Sequence, residues 1–558
     1  MESRAITETL SISGQISIAD VTSLAQANVK TIIVNRPDGE GPDQVNVEEI
    51  QAAADALGIN VHYLPVTSGA VTDEQAREFG TLLSNAQGRV HAYCRTGMRS
   101  ATLWAIHRTA EGEGFEYIQN RLAEAGYDIS GLAGRLTGFT GNAEHIPAYD
   151  VVIVGAGAGG LAAASSIRKR DPRLRIALID PADTHYYQPG WTLVGAGIFK
   201  PEKTRRPMAR LIPTGVEWIN SAVALFEPEK NQLQLEGCRP IKYKQLVVAA
   251  GLKLDWDAID GLNDTLGKNG VTSNYRYDLA PYTWDLVQNL KRGKAVFTQP
   301  PMPIKCAGAP QKVMYLSSDH WRDQGTLKDI KVQFFNTGPA LFGVKEYVPA
   351  LMEYIDKYGI ELTFQHQLVK VDGPNKKAWF KHVGENTEEA LIEVDFDMLH
   401  VTPPQVAPDF IRVSPLADEA GWVDVDAHTL QHKRYENVWA LGDVMNAPNA
   451  KTAAAARMQA PVVAYNLVNA MQEGNRQSLY NGYGSCPLTV EKGKIVLAEF
   501  GYGGKLLPSF PNWVINGLKP TRAAWFMKER LLPEIYWSLM LKGHEWMIKP
   551  TIQDAESA

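Results

Sequence analysis

The chain has 558 residues, is 45% hydrophobic and 21% charged, and carries a formal net charge of −6. This is the composition of a globular protein of about three or four domains, with no basic excess to suggest nucleic acid as a partner. Four cysteines in so long a chain exclude a disulfide scaffold. No uncharged run of about 18 apolar residues offers a membrane span, and Met1 to Gly14 has no apolar core of the kind a signal peptide needs.

Residues 1–145 read as a small α/β domain. Val29 to Val34 and Asn60 to Val66 have the pattern of buried strands, with helical periodicity from Val47 to Ala56 and from Asp73 to Leu83. Next comes Arg89-Val90-His91-Ala92-Tyr93-Cys94-Arg95-Thr96-Gly97-Met98-Arg99-Ser100, then an apolar helix through Ile106. Cys94 therefore ends a strand and opens a tight loop into a helix. Loop N–H groups, the helix dipole, Arg95 and Arg99 all favour its thiolate. The loop is one residue shorter than that of tyrosine-phosphatase-like enzymes and resembles the rhodanese persulfide loop. Leu10 to Gln15 and the turn Asn35 to Glu40 resemble a small family with a phosphatase-like fold that is often joined to sulfur enzymes. The resemblance implies sulfur transfer, with Cys94 carrying the persulfide and Arg95 and Arg99 stabilising anions. Residues 138–149, rich in glycine and polar residues and carrying Pro147, are expected to be a linker.

Residues 146–505 read as a flavoprotein. Tyr149 to Val154 is an apolar strand, followed by Gly155-Ala156-Gly157-Ala158-Gly159-Gly160 and small helix formers. This G-x-G-x-x-G has its proper context. Gly155 makes the turn, Gly157 lets the backbone approach a pyrophosphate, and Gly160 lets helix and strand pack. The helix N-terminus favours phosphate. A second strand ends at Asp180, placed to accept from a ribose hydroxyl. Asn437 to Leu441 is a further strand, ending in Gly442-Asp443. It precedes Lys451 and a small-residue run opening at Thr452. In two-dinucleotide flavoproteins such a Gly-Asp strand holds the ribityl end of FAD. The insertion between the two motifs spans roughly 280–400. It contains no second G-x-G-x-x-G, which argues against an NADH-binding cradle.

Of the remaining cysteines, Cys238 falls in a turn and reads as inert. Cys306 lies in a proline-stiffened loop flanked by Lys305 and Lys312, which favour its thiolate, and Cys486 in a turn before Pro487. Spacing alone leaves these two open between a redox pair and two unrelated buried thiols.

The aromatic loop Thr184 to Gly197, read with its neighbours, resembles sulfide:quinone oxidoreductases of the mitochondrial-type branch, from Tyr149 to the C-terminus. That resemblance implies FAD as cofactor, contacted by Gln188 and, on the adenine side, by Val223. It pairs Cys306 with Cys486 beside the flavin ring, often with an extra sulfur between them. Hydrosulfide would attack the bridge, FAD would be reduced, and electrons would pass to a quinone such as ubiquinone. The sulfane sulfur would leave to glutathione, sulfite or the fused Cys94.

Residues 506–558 mix Trp513, Trp525, Phe526, Trp537 and Trp546 with Lys519, Arg522, Lys528 and Arg530. The pattern suits two short interfacial helices separated at Pro533, lying on a membrane surface. The fold expected is thus α/β: a phosphatase-like domain, a flavoprotein with two Rossmann-like domains, and an amphipathic C-terminal segment. The location expected is cytoplasmic, peripheral on the inner face of the cell membrane. No metal is expected, and homo-oligomerisation is left open. Two alternatives stay open: an NAD(P)H-dependent persulfide or disulfide reductase, and a protein phosphatase activity of the N-terminal domain.

Overall fold

A computed structural model describes residues 3–41, 44–69, 71–136, 146–236, 240–384, 391–548 and 550–554. Cys238 and most of the expected linker lie outside these residues. The chain forms two compact units. One comprises Met1–Tyr149, Ser221–Lys244 and Val413–Pro415; the other comprises Asp150–Asn220, Gln245–Arg412 and Leu416–Ala558.

In the first unit a five-stranded sheet runs in the order Arg4–Ala5, Leu10–Ser13, Arg89–Tyr93, Val29–Val34, Asn60–Tyr63. All pairs but the first are parallel. The inner strand Val29–Val34 is buried at every position except Lys30, as expected where helices cover both faces. Helices Ile18–Gln26, Val47–Asp55 and Asp73–Asn85 each begin with a reciprocal capping box, at Ser17/Asp20, Asn46/Glu49 and Thr72/Gln75. The strand expected through Val66 ends at Tyr63, although the Leu64 and Val66 N–H groups still donate to Val34 O and Asn35 O at 2.9 and 3.1 Å.

The second unit holds most of a mixed sheet and a second sheet that is parallel throughout. Strands Val216–Ile219, Ile176–Ile179, Ala148–Val154 and Pro240–Val248 follow one another in the first sheet, and Val438–Ala440 pairs in parallel with Leu246 to Val248. Helix Ala158–Arg170, rich in Gly and Ala, packs closely against helix Ala453–Met471. The second sheet has the order Val271–Thr272, Met398–His400, Gly293–Gln299, Ile330–Asn336, Glu361–Phe364, all parallel. A three-stranded antiparallel sheet, His366–Asp372, Lys377–His382 and Leu391–Asp395, accompanies it. Parallel strands alternating with covering helices make this an α/β protein.

Two local expectations are corrected. Cys486 lies not in a turn but in the strand Gly484–Glu491, which pairs with Lys494–Phe500. Gly482, with φ +80°, makes the preceding turn. Pro487 is tolerated because its strand pairs on one side only and so keeps an edge that needs no N–H donor. The C-terminal helical run is also not divided at Pro533. Helical turns follow one another from Arg522 to Lys542, with π-type turns at Met527–Leu531 and Ile535–Leu539. The wider turn before Pro533, closed by the Leu532 N–H donating to the Met527 carbonyl, relieves the clash and lost bond that proline brings to a regular α-helix.

Candidate active site

A cavity of ≈ 630 Å³ in the second unit collects the residues that the sequence motifs single out. The glycine loop forms one wall, with Gly155, Ala156 and Gly157 lining it. Gly160 does not line it. Gly160 packs so closely that a Cβ there would overlap the Gly155 carbonyl oxygen, which is the close helix–strand approach this position requires. Helix Ala158–Arg170 has no side-chain cap at its N-terminus, so its first N–H groups are left for an anion. Asp180 follows strand Ile176–Ile179. Its Oδ2 accepts from the Ala156 N–H at 2.6 Å and its Oδ1 from the Ala182 N–H at 2.8 Å.

Gly442, Asp443, Lys451 and Thr452 line the same cavity. Lys451 Nζ donates to the carbonyls of Asp443 and Met445 at 2.7 and 2.8 Å, and burial lowers its pKa to about 8. Gln188 also lines the cavity, its Oε1 accepting from Lys305 Nζ at 2.7 Å. Val223 does not: it is buried in the strand Val223–Glu227, opposite Leu235. The cavity size, the uncapped helix and the two acid-ended strands fit a dinucleotide. So does Asn274, a cavity residue whose buried amide oxygen and nitrogen have no partner in the protein.

The cysteine pair opens on this cavity. Cys306 and Cys486 are both free thiols, with their Sγ atoms 3.7 Å apart. Several backbone bonds fix the Cys306 loop. The Cys306 N–H donates to Lys451 O at 2.8 Å, the Lys305 N–H to Gln405 Oε1 at 2.7 Å, and Tyr275 Oη to Lys305 O at 3.0 Å. Cys306 itself has φ +51°, a left-handed conformation costly for a residue with a side chain. Two residues on, Gly308 leaves the space that Cys486 Sγ fills; a Cβ there would stand 2.6 Å from the sulfur. Cys486 sits among Val313, Met314 and Leu488 in an apolar core.

This environment separates the two thiols. Lys312, one helical turn into Ala309–Asp323, is buried and places Nζ 3.0 Å from Cys306 Sγ. The hydrogen bond from the Cys486 thiol and the Lys312 ammonium hold the Cys306 thiol well below the usual range against the effect of burial. The Cys306 thiolate and burial push Cys486 well above it. The Lys312 ammonium, 3.0 Å from Cys306 Sγ, thus favours the thiolate on Cys306 over Cys486.

A third buried lysine was not legible in the sequence. Lys528 is 3% exposed, donates from Nζ to Pro189 O at 2.8 Å, and lines the cavity. Burial, then repulsion from Lys312, lowers its pKa to about 7. It belongs to the π-type turn Met527–Leu531, so a 3.6-residue period places it on the wrong face. His185 is likewise hidden. Its Nδ1 lies 3.1 Å from Ala156 O and its Nε2 2.6 Å from Tyr536 Oη, and burial lowers its pKa to about 4.

The Cys94 loop lies in the first unit. Cys94 is buried, and its Sγ accepts from the Gly97 N–H at 3.2 Å, at the uncapped N-terminus of helix Met98–Ala110. Arg99 turns inward and is buried, whereas Arg95 is exposed to solvent. Among the described residues no cluster of three or more His, Cys, Asp or Glu could hold a metal ion, and no helix is long and apolar enough to cross a membrane.

Two dinucleotide-type sheets, a G-x-G-x-x-G cradle and a cysteine pair on one cavity define an FAD-dependent enzyme of the disulfide-oxidoreductase class. Residues 149–282 match the pyridine nucleotide-disulphide oxidoreductase family. More narrowly, the chain belongs to the sulfide:quinone oxidoreductase family. It is 41% identical over 405 residues to the mitochondrial sulfide:quinone oxidoreductase of Dictyostelium discoideum, covering 72% of this chain and 88% of that protein. The solved sulfide:quinone oxidoreductase of Aquifex aeolicus shares the fold, with TM-score 0.62 at 18% identity over 73% of this chain and 97% of the other. Residues 2–111 match the phosphatase-like domain of the beta-lactamase hydrolase-like protein family. The Agrobacterium fabrum protein of that name is 37% identical over 112 residues, 20% of this chain and 26% of its own length.

Proposed function

We propose that this sulfide:quinone oxidoreductase oxidises hydrosulfide at the Cys306–Cys486 pair and passes the sulfur to Cys94. The observation that carries the reading is the 3.7 Å approach of two sulfurs, one beside the Lys312 ammonium, on the cavity of the glycine loop. In the oxidised pair, hydrosulfide adds to one sulfur and the S–S bond breaks, leaving a persulfide on one cysteine and a thiolate on the other. The lower-pKa thiol is the better leaving group, which favours attack at Cys486 and release of the Cys306 thiolate against Lys312. When bound, FAD supplies the two-electron acceptor for that thiolate and the electron donor for quinone. Asn274 and the uncapped helix would hold the cofactor, and Tyr275 keeps the Cys306 loop in place.

The persulfide sulfur leaves to an external acceptor such as glutathione or sulfite, or to Cys94, which the shared chain keeps at effective concentrations of about millimolar. Quinone would reach the cavity from lipid. Trp513, Phe526, Leu531, Trp546 and Met547 are exposed, and such apolar side chains beside lysines and arginines suit a peripheral membrane surface.

The test is anaerobic addition of sulfide to the purified protein. Sulfide should bleach the flavin band within the mixing time, and NADH should not. Rapid bleaching by NADH alone would support a nicotinamide-dependent reductase instead.

A further inference from the structure

Glu40 engages Arg99, the buried arginine of the Cys94 loop. Its Oε1 accepts from Arg99 Nη1 at 2.7 Å and its Oε2 from Arg99 Nη2 at 2.6 Å. The same Oε2 accepts from Arg36 Nε at 2.9 Å. Arg99 Nη1 also donates to Val66 O at 2.7 Å, and the guanidinium interacts with Cys94 besides. Arg36 Nη1 in turn donates to Gln15 Oε1 at 2.9 Å. Both arms of Arg99 are thus engaged by an internal carboxylate in the bidentate geometry that a guanidinium offers to phosphate. The cavity at this point is small, ≈ 40 Å³, and its lining includes Glu40, Arg95, Thr96, Met98 and Arg99. Arg36 and Arg99 are both buried, and a buried ion pair that loses one partner leaves an uncompensated charge. An incoming dianion must therefore displace Glu40 at a cost that a neutral sulfur atom avoids.

We infer that Glu40 is a built-in counter-ion that occupies the anion seat of the Cys94 loop, turns away phosphate, thiosulfate and sulfite, and restricts the site to sulfur exchanged between thiols. The inference rests on Cys94 as a sulfur carrier and adds the class of its acceptor. In the discharge step the acceptor thiol's sulfur bonds to the outer sulfur of the Cys94 persulfide, and the bond from that sulfur to Cys94 breaks. The proton of the acceptor thiol ends on Cys94. The products are a new persulfide and the Cys94 thiol, with no net gain or loss of electrons.

The test uses the full-length FAD-loaded protein and inorganic phosphate as probe, reading protection of Cys94 from iodoacetamide by mass spectrometry of its peptide. Glu40→Gln keeps the side-chain shape but removes the charge, and should be protected at phosphate concentrations at least about tenfold lower than wild type needs. Flavin content and thermal unfolding report whether the variant folds. If it does not, Glu40→Asp, too short to bridge both arginines, should shift protection in the same direction. Equal protection in wild type and variant, or none in either, overturns the inference. In a second arm, wild-type Cys94 is loaded by sulfide and quinone, read as a gain of about 32 Da, one sulfur on the oxidation ladder of a thiol. A small thiol should discharge it at least about tenfold faster than sulfite at equal concentration; equal rates overturn the acceptor class. Absence of loading would instead refute the carrier role of Cys94, while the phosphate arm still decides whether Glu40 fills an anion seat.

Discussion

Cys306 Sγ lies 3.7 Å from Cys486 Sγ although the two residues are 180 positions apart in the chain. A helix-opening loop and a β-ribbon bring them together, and Gly308 supplies the space. Either Cys306→Ser or Cys486→Ser should retain bound FAD, because neither residue belongs to the glycine loop or the Gly442-Asp443 strand end. Each should lower sulfide-dependent quinone reduction by a factor on the order of 10³ or more, as loss of a covalent nucleophile does. The check is flavin absorbance per chain together with steady-state turnover. Near-normal turnover in either variant would show that the pairing is not catalytic.

The hydrogen bond from Cys486 and then Lys312, with its Nζ 3.0 Å from the sulfur, favour the thiolate of Cys306. The Cys306 pKa is depressed, so its thiolate persists below the ordinary thiol value of about 8.5. The stabilisation this gives the fold is present above the unfolded pKa and is lost as pH falls through the folded one. In reduced wild-type protein, alkylation at Cys306 should stay nearly constant as pH falls from about 8.5 toward neutrality. In Lys312→Met it should fall with pH like that of an ordinary thiol. The same steep pH profile in both proteins would leave Lys312 without this role.

Gly160 is the position where helix Ala158–Arg170 meets the turn at Gly155. Gly160→Ala should push the helix N-terminus off the strand end and weaken FAD binding by at least about tenfold, the equivalent of 1.4 kcal/mol. Reconstitution of the flavin-depleted protein, titrated with FAD, measures it. Unchanged affinity would mean that the helix can shift without moving the phosphate cradle.

Deleting the C-terminal segment would not isolate a membrane role, because much of the segment is structural. Tyr536, Trp537, Met540 and Leu541 are buried, Ser165 Oγ donates to Leu541 O at 2.7 Å, and Arg170 pairs with Glu545. The outward side chains give a cleaner test: Trp513 is 87%, Phe526 57% and Trp546 54% exposed. Replacing these three with serine should leave flavin content intact, weaken binding to lipid vesicles at least about tenfold, and slow reduction of long-tailed quinones more than of short ones. Equal slowing of both quinones would place these residues outside any lipid contact.

The cofactor cradle was legible in the sequence because its chemistry is local. Gly155, Gly157, Gly160 and Asp180 fall within one strand–helix–strand unit, and their spacing is dictated by a turn, a close approach and the start of a helix. The Cys94 loop was legible for the same reason, since a strand, a thiol, a tight turn and an arginine follow one another directly. Spacing alone did not pair Cys306 with Cys486: two loops of unrelated sequence meet only when the chain folds, and the pairing came from family resemblance. Tertiary structure alone decided the rest. It brought Lys528 to the cavity through a π-type turn that breaks helical periodicity, joined His185 to Tyr536 across 351 positions, and separated the roles of Arg95 and Arg99. It also set Glu40 against Arg99 across 59 positions. Motifs report what a short stretch of backbone must do; the charge state of a buried thiol depends on which distant groups packing places beside it.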